Sequence, residues 1–450
     1  MTAGRALRTL ALLLVLLLLQ LLQLAGSTSA AAGRFVALQP FGTPRTGGYG
    51  LEAFAMAGHS FLALAEFFGN KSTIYRWNGT GFAPHQTIPS HAGHAFRHFT
   101  VDSQDFLALA NYRTGFAPGD PQGWPRGPWF LPLKQTNSTI WKYNASTQRF
   151  DDFQSLATSF ANAWSAFSIR GRSYLAVANA DNLGAVDNAD KYTGDANSTV
   201  YQYDRTAAEF KVAQQISTHS ALDIESFVIG NETYLAVANA ESKDAGFQVR
   251  SPVFRWSEQR GRFELFQLLN TTAATGIAFF TVPGARGGHF LAVANRYGKT
   301  GHRENSVIYR WDGKRGQFVA FQSVPTKGAY DWEFFSVASS SSSPAQRQQE
   351  QEQHLLAVAN HWDEKAPDPK HPIAINSTIY RWDDTSSRFV IYQQIPTIGA
   401  EQMRYLTVPM RRQDTRGTEV EEMVGLLAVA QCVDDASGWN TTSQIWELVV

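Results

Sequence analysis

The chain has 450 residues, no formal net charge and 17% charged residues, against roughly 25% in an average soluble domain. Its 44% hydrophobic and 13% aromatic content excludes an extended disordered chain, and the charge balance argues against a nucleic-acid scaffold, which needs a basic excess. Cys432 is the one cysteine, which excludes an intrachain disulfide, a CxxC redox pair and a cysteine-rich zinc site.

The first element is a targeting segment. Arg5 and Arg8 precede a leucine-rich apolar run, 10–24, broken only by Gln20 and Gln23, and small residues follow at 26–32. That order is a secretory signal peptide, and the apolar run is short of the ~20 residues that span a bilayer. We expect cleavage after Ala32 and a single domain over 33–450, secreted to the extracellular space or cell surface, with no transmembrane segment. Nine N-x-S/T sequons follow, at Asn70, Asn78, Asn137, Asn144, Asn197, Asn231, Asn270, Asn376 and Asn440. They are candidate glycosylation sites. Several recur at one position of a repeat, where Asn also suits a turn.

From residue 34 onward three phrases recur, seven times each. The first is FLALAE (61–66), FLALAN (106–111), YLAVAN (174–179 and 234–239), FLAVAN (290–295), LLAVAN (355–360) and LLAVAQ (426–431). The second is STIYRW (72–77 and 377–382), STIWKY (138–143), STVYQY (198–203), SPVFRW (251–256), SVIYRW (306–311) and SQIWEL (443–448). The third is RFVALQ (34–39), GFAPHQ (81–86), RFDDFQ (149–154), EFKVAQ (209–214), RFELFQ (262–267), QFVAFQ (317–322) and RFVIYQ (388–393). Each is short, rich in β-branched and aromatic residues, and bounded by Gly, Asn, Asp or Ser, which reads as a strand. A fourth strand precedes each first phrase, as in WSAFSIR (164–170), IESFVIG (224–230) and WEFFSVA (332–338).

Four antiparallel strands per unit, repeated seven times, predict an all-β, seven-bladed β-propeller. The chain opens on the third phrase and closes on the second, so the N-terminal strand is expected to complete the last blade. Cys432, beside LLAVAQ, is expected as a small buried residue. The pairs Trp311-Asp312 and Trp382-Asp383 do not make WD40 units, which are shorter and carry a G-H element.

The phrase set closely resembles the EAR (epitempin-associated, EPTP) repeat over residues 34–450. The resemblance implies a seven-bladed propeller of the kind found in the leucine-rich glioma-inactivated proteins and in laminin-G-linked EAR proteins. The first group binds disintegrin-like cell-surface receptors, and the second is associated with Notch signalling. It therefore implies non-catalytic recognition of an extracellular or cell-surface protein. A glycan-binding, lectin-like propeller is the alternative.

Innermost strands line a propeller's channel. Aligning them on Phe54, Phe99, Phe167, Phe227, Phe280, Phe335 and Leu406 places Glu52, Arg97, Ser165, Glu225, Ala278, Glu333 and Arg404 two residues earlier. Gly50, Ala95, Ala163, Asp223, Gly276, Asp331 and Gln402 stand four residues earlier. Period two puts both sets on one side of the strand, taken here as the channel side. Three readings stay open: a structural salt-bridge ring, Ca2+ held by Asp223, Glu225, Asp331 and Glu333, and a glycosidase-like carboxylate pair. No catalytic motif supports the last. His91 and His94 read as loop residues without a third ligand. The Asn that ends most copies of the first phrase reads as a structural cap.

Loops carry the asymmetry. Residues 112–136 hold Tyr112, Phe116, Trp124, Trp129 and Phe130 among Pro and Gly, a pattern of rigid partner-binding anchors or of a cap folded onto the propeller. Residues 339–353 read as a flexible polar insert and 411–422 as a charged solvated loop. Loops 112–136, 180–197, 240–250, 296–305 and 361–376 should share one face.

Overall fold

The structure is a computed structural model that describes residues 33–42, 47–113, 136–180, 195–337, 352–368, 371–414, 416–432 and 442–449. The signal-peptide segment, the insert from 338 to 351 and Asn440 lie outside the described residues, as do Phe116, Trp124, Trp129 and Phe130. Every regular element described is a strand, and the 28 strands form seven four-stranded antiparallel sheets. The innermost strands are Gly48–Met56, Gly93–Val101, Ala161–Ile169, Ala221–Ile229, Ala274–Val282, Ala329–Val337 and Ala400–Gln413. Each touches the next and the last touches the first, closing a seven-bladed propeller. We number the blades from Gly48–Met56 and letter their strands A to D outward.

The repeated phrases explain the packing. The LAVA stretch is strand B, buried on both faces. In blade 3, Leu175 and Val177 face blade 2, while Tyr174, Ala176 and Ala178 face blade 4. Small alanines on one face let adjacent blades approach closely, and the larger Leu and Val fill the other seam. The core is thus seven apolar clusters, one per seam between consecutive blades, rather than one central mass. In blades 1 to 5 the aligned phenylalanine of strand A stacks on the aromatic that opens strand B, as Phe54 on Phe61 at 5.3 Å and Phe227 on Tyr234 at 5.4 Å. Such pairs add about 0.5–1.5 kcal/mol each beyond burial.

The third phrase is the outermost strand, and its Gln has a role that the sequence alone does not show. A bulge falls just before it in every blade, which re-aims the side chain. The amide then reaches the phenylalanine of the next blade's outermost strand. Gln267 Nε2 donates to Phe318 O at 2.7 Å while Phe318 N donates to Gln267 Oε1 at 3.0 Å. The same two-bond clasp joins every consecutive pair of blades.

Closure follows the expected route. Arg34–Phe41 pairs antiparallel with Ser443–Val449 and completes blade 7. Gln393 of blade 6 clasps Phe35, and Gln39 clasps Phe82 of blade 1, so the N-terminal strand joins the rim ring on both sides.

The asparagine ending strand B is a cap. Asn179 Nδ2 donates to Asn197 O at 2.8 Å, and its Oδ1 accepts from Ser159 N at 3.2 Å, tying strand C to the strand entering the same blade. Asn111, Asn239, Asn295, Asn360 and Gln431 repeat this. Glu66, which cannot donate, instead accepts from Thr73 Oγ1. The Asp after Trp311 and Trp382 caps a turn: Asp312 Oδ1 accepts from Lys314 N and Arg315 N, and Asp383 accepts from Thr385 N and Ser386 N. Asn78 and Asn144 do the same in blades 1 and 2. Two sequons thus coincide with a turn role. Asn70, Asn78, Asn137, Asn197, Asn231, Asn270 and Asn376 are exposed, and Asn144 is half-buried.

One expectation is corrected here. Residues 411–422 are not a solvated loop, because strands A and B of blade 7 run on to Gln413 and restart at Glu419. Arg411 pairs across the hairpin with Glu421, and Arg412 contacts Glu422 and Glu447, so charge pairing extends the ladder.

Candidate functional site

In every blade the start of the innermost strand pairs with the end of strand B, so these strand ends gather on one face. Each innermost strand carries a bulge there. The extra residues are Tyr49, His94, Asn162, Leu222, Thr275, Tyr330 and Glu401. A bulge breaks strict alternation, so these side chains line the channel mouth, a cavity of about 190 Å3. His94 is therefore a strand residue of the mouth and not a loop residue. The residue following the first phrase forms a second ring, which supplies Phe67, Tyr112 and Arg296 to the same wall.

Glycine at two positions is forced by this crowding. A Cβ on Gly50 would lie 2.2 Å from His94 O, and one on Gly276 would lie 2.4 Å from Tyr330 O. The neighbouring blade's bulge occupies the space.

The residues aligned by period two are brought together at the channel edge, where they turn toward the following blade. Glu52 Oε1 accepts from His98 N at 2.9 Å, and Glu333 Oε1 accepts from Tyr405 N at 2.9 Å. Ser165 Oγ accepts from Ser226 N at 3.0 Å, Asp223 Oδ2 from Ile277 N at 2.9 Å, and Gln402 Oε1 from Leu51 N at 2.7 Å. Edge strands leave N–H groups unpaired, and these side chains satisfy them across five of the seven seams. Arg97 lies 3.9 Å from Glu52 and 3.8 Å from Glu225, while Arg404 lies 2.7 Å from Asp331 and 3.6 Å from Glu333.

Burial dominates the electrostatics. It raises Asp223 to about 6, helped by Asp331, and raises Glu225 and Glu333 to about 7 despite Arg97 and Arg404. Burial also lowers His94 to about 4, so its ring is neutral, and Nδ1 faces Asn162 O at 3.2 Å. Among the described residues no three His, Cys, Asp or Glu side chains converge as a metal cage. To hold Ca2+, Asp223, Glu225, Asp331 and Glu333 would have to draw together, with Arg404 leaving Asp331. The glycosidase-like reading fares no better, because the carboxylates are engaged by backbone N–H groups and arginines.

On one side of the mouth Tyr49 stacks on Phe67 at 4.4 Å, with His94 and Tyr112 packed beside them. Tyr112 is the one sequence-predicted partner residue within the described set, and it belongs to this wall. On the other side the Arg296 guanidinium lies 4.8 Å over the Tyr330 ring. Burial acts against its charge, but Tyr330, Glu401 and Tyr49 outweigh that and hold it above the ordinary arginine value. His361 Nδ1 and Glu401 Oε1 are 3.0 Å apart, though not aligned as a hydrogen bond. Cys432 is 6% exposed, and Tyr49 is raised by burial and by this thiol.

Farther out, loops of blades 5 and 6 are locked. Arg303 grips the fully buried Asp363 with Nε at 2.6 Å and Nη2 at 2.8 Å, and Lys327 adds 3.2 Å. Burial alone would raise Asp363, but these donors hold it down to about 2. Over this clamp runs an aromatic file, Phe247, Tyr297, His302 and Trp362, with centroid spacings of 5.1, 4.9 and 5.8 Å. Phe247 is 41% exposed. Sequence reasoning missed Tyr49, Tyr330, Glu401, Arg296 and Phe247. The available signal was two repeat positions whose place is fixed while their residue type changes from blade to blade.

Comparison with known proteins points to one repeat family. The EPTP domain model matches residues 34–78, 81–122, 149–204, 209–257, 262–312 and 317–341. The thrombospondin-type laminin G domain and EAR repeat-containing protein of Mus musculus is 33% identical over 355 residues, covering 78% of this chain and 46% of that protein. The Homo sapiens protein of that name is 32% identical over 333 residues, covering 73% of this chain and 43% of its own length. The chain thus spans less than half the length of these curated relatives. Among solved structures, the periplasmic gluconolactonase of Pseudomonas aeruginosa aligns at a TM-score of 0.48 and 14% identity, covering 87% of this chain and 96% of that one. Sqt1 of Saccharomyces cerevisiae aligns at 0.48 and 9%, covering 92% and 99%. The phrases that build every blade and the family match along most of the propeller make this chain a member of the EPTP repeat family.

Proposed function

We propose that this chain is a secreted or cell-surface-associated, non-catalytic module that recognises an extracellular protein through the face bearing the channel mouth. The observation that carries this reading is the contrast between faces. Strands repeat because blades must pack alike, whereas the described loop residues of the mouth face differ from blade to blade and carry a rigid clamp at Asp363 and an aromatic file ending in the exposed Phe247. Aromatic anchors on a fixed scaffold are the usual centres of protein interfaces. The relatives carry in their name a thrombospondin-type laminin G domain, which favours an extracellular setting. Receptor or Notch-type developmental signalling, implied by the family resemblance, is the context this reading fits.

The test is cross-linking of purified protein to intact cells, identification of the captured surface protein, and affinity measurement with the purified pair. Phe247→Ala should weaken that pair by about 2 kcal/mol, a hot-spot loss, with unchanged melting. Unaltered affinity for Phe247→Ala, and for Trp124→Ala with Trp129→Ala, would move recognition off this face. A lectin-like role is the second reading, favoured by aromatic rings beside polar side chains in the lining of the mouth. Glycan-array binding, abolished by Tyr112→Ala, would replace the first reading with this one.

A further inference from the structure

One blade departs from the packing rule of the others at its outer edge. The bulge residue of the outermost strand, just before the clasping Gln, is a ring in blades 1, 2, 4, 5 and 6: His85, Phe153, Phe266, Phe321 and Tyr392. In blades 1, 2, 4 and 5 it packs on the aromatic that opens strand B, at 5.6, 5.0, 5.4 and 5.3 Å. In blades 4 and 5 it also stacks on the tryptophan of the next blade's strand C, Phe266 on Trp311 and Phe321 on Trp382. An arginine of its own strand C lies over it there, Arg255 at 5.3 Å and Arg310 at 5.8 Å.

Blade 3 keeps the surroundings and lacks the ring. Its strand B opens on Tyr174, which meets Trp256 of blade 4 at 5.6 Å much as Tyr234 meets Trp311 at 5.8 Å. The bulge residue, however, is Ala213, and Gln202 stands where strand C of blade 4 has Arg255. At this place lies an open groove of about 390 Å3, whose lining includes Arg172, Gln202, Asp204, Lys211 and Ala213. That is within the ~300–1,000 Å3 of small-ligand sites. Gln202 pairs with both Tyr174 and Lys211, so the three share the sheet face that turns to blade 4. Arg172 follows the A–B turn and Asp204 precedes the C–D turn, which puts the groove at the end of the blade opposite the mouth.

The charges around the groove leave one cation over. Asp102 holds Arg205 through Nε at 2.9 Å and Nη2 at 2.8 Å. Lys211 lies 2.8 Å from Asp204 and 3.5 Å from Glu209, and Arg170 lies 3.1 Å from Glu258. Arg172, exposed and beside the Tyr174 hydroxyl, has no acidic partner within ion-pair distance among the described residues. A planar guanidinium takes an oxyanion through two parallel bonds. A neutral ring would leave Arg172 unanswered, and an oxyanion alone would leave unfilled the space that rings occupy in other blades.

We propose that the groove of blade 3 binds an aromatic ring bearing one oxyanion, with the ring beside Ala213 and Gln202, where other blades seat their own ring, and the oxyanion on Arg172. A tyrosine O-sulfate of a partner peptide and a free aryl sulfate or aryl carboxylate share this chemistry. No bond is made or broken, and the site is separate from the mouth face on which the proposed function rests.

The test is calorimetry of the full chain with p-tolyl sulfate and p-toluate as probes, alongside p-cresol, which keeps the ring, and inorganic sulfate, which keeps the charge. We expect the two aryl anions to bind at millimolar concentration and each fragment to bind about tenfold or more weakly, the range for losing a charge-assisted hydrogen bond. Arg172→Gln should erase the preference for p-tolyl sulfate over p-cresol. Ala213→Phe, which supplies the missing ring from the chain itself, should abolish binding while the melting temperature holds or rises. An extended peptide with one tyrosine O-sulfate separates the sources: binding tighter than that of p-tolyl sulfate assigns the ligand to a partner segment, and equal or weaker binding assigns a free aryl anion. Absence of binding by both aryl anions would overturn the proposal. So would inorganic sulfate or p-cresol binding equally well, or parent-like binding by folded Ala213→Phe. The fragment comparison uses the unaltered protein, so a variant that fails to fold cannot mask the result.

Discussion

Phe35→Ala tests whether the N-terminal strand is a full partner in the ring. Phe35 is 2% exposed, packs edge-on against Phe335 at 5.9 Å, and has both backbone groups clasped by Gln393. Phe263, at the same repeat position in blade 4, is 3% exposed and is clasped by Gln214. Truncating a buried phenylalanine costs about 3–5 kcal/mol through lost transfer energy and a residual cavity. If closure is as tight as the inner seams, Phe35→Ala and Phe263→Ala should each cost about 3–5 kcal/mol and agree within about 1 kcal/mol. Urea unfolding followed by tryptophan fluorescence gives both values, provided that the slope is unchanged. A loss below about 1 kcal/mol for Phe35→Ala beside a full loss for Phe263→Ala would refute the reasoning. The strand would then pair without bearing the packing of its seam.

Gln267→Ala should cost about 1–3 kcal/mol by urea unfolding, because it removes two hydrogen bonds and orphans Phe318 N and O; a neutral result would make the clasp ornamental. Gly276→Ala should cost about 1–3 kcal/mol, since its Cβ would press on the backbone of Tyr330 in an overpacked seam, and it should also weaken any ligand at the mouth. Glu225 and Glu333 are raised to about 7 and Asp223 to about 6, chiefly by burial, so the folded chain holds these protons more tightly than the unfolded one. Their contribution is therefore complete below the ordinary carboxylate range near ~4 and is lost as pH rises through about 6–7. Melting should accordingly fall across that window, and Glu225→Gln should flatten the fall and add about 1–2 kcal/mol above it; an unchanged pH profile counts against this assignment. If Ca2+ displaces Arg404 and is held by Asp223 and Asp331, chelator should lower the melting temperature by mass action and the double Asn variant should not respond; identical melting with and without chelator removes the metal.

The phrases alone determined the blade. LAVA, STIYRW and RFxxxQ are strand signals because strand packing depends on residue type at alternate positions, and seven copies fixed the number of sheets. The order of phrases at the two ends also made the closing strand at Arg34–Phe41 legible. What a local pattern could not disclose was where side chains go once a strand is bulged. The extra residue before each Gln of the third phrase turns that amide onto Phe35, Phe82 or Phe318 of another blade, a contact set only by how the blades wrap. The bulges at Tyr49, His94, Tyr330 and Glu401 likewise fall outside the period-two alignment, so residues that it left out line the mouth. Arg296 and Tyr330 meet only because two blades lie side by side. Sequence determines local strands through their periodicity, whereas the mouth is made from one residue per blade, brought together across the ring by closure of the propeller.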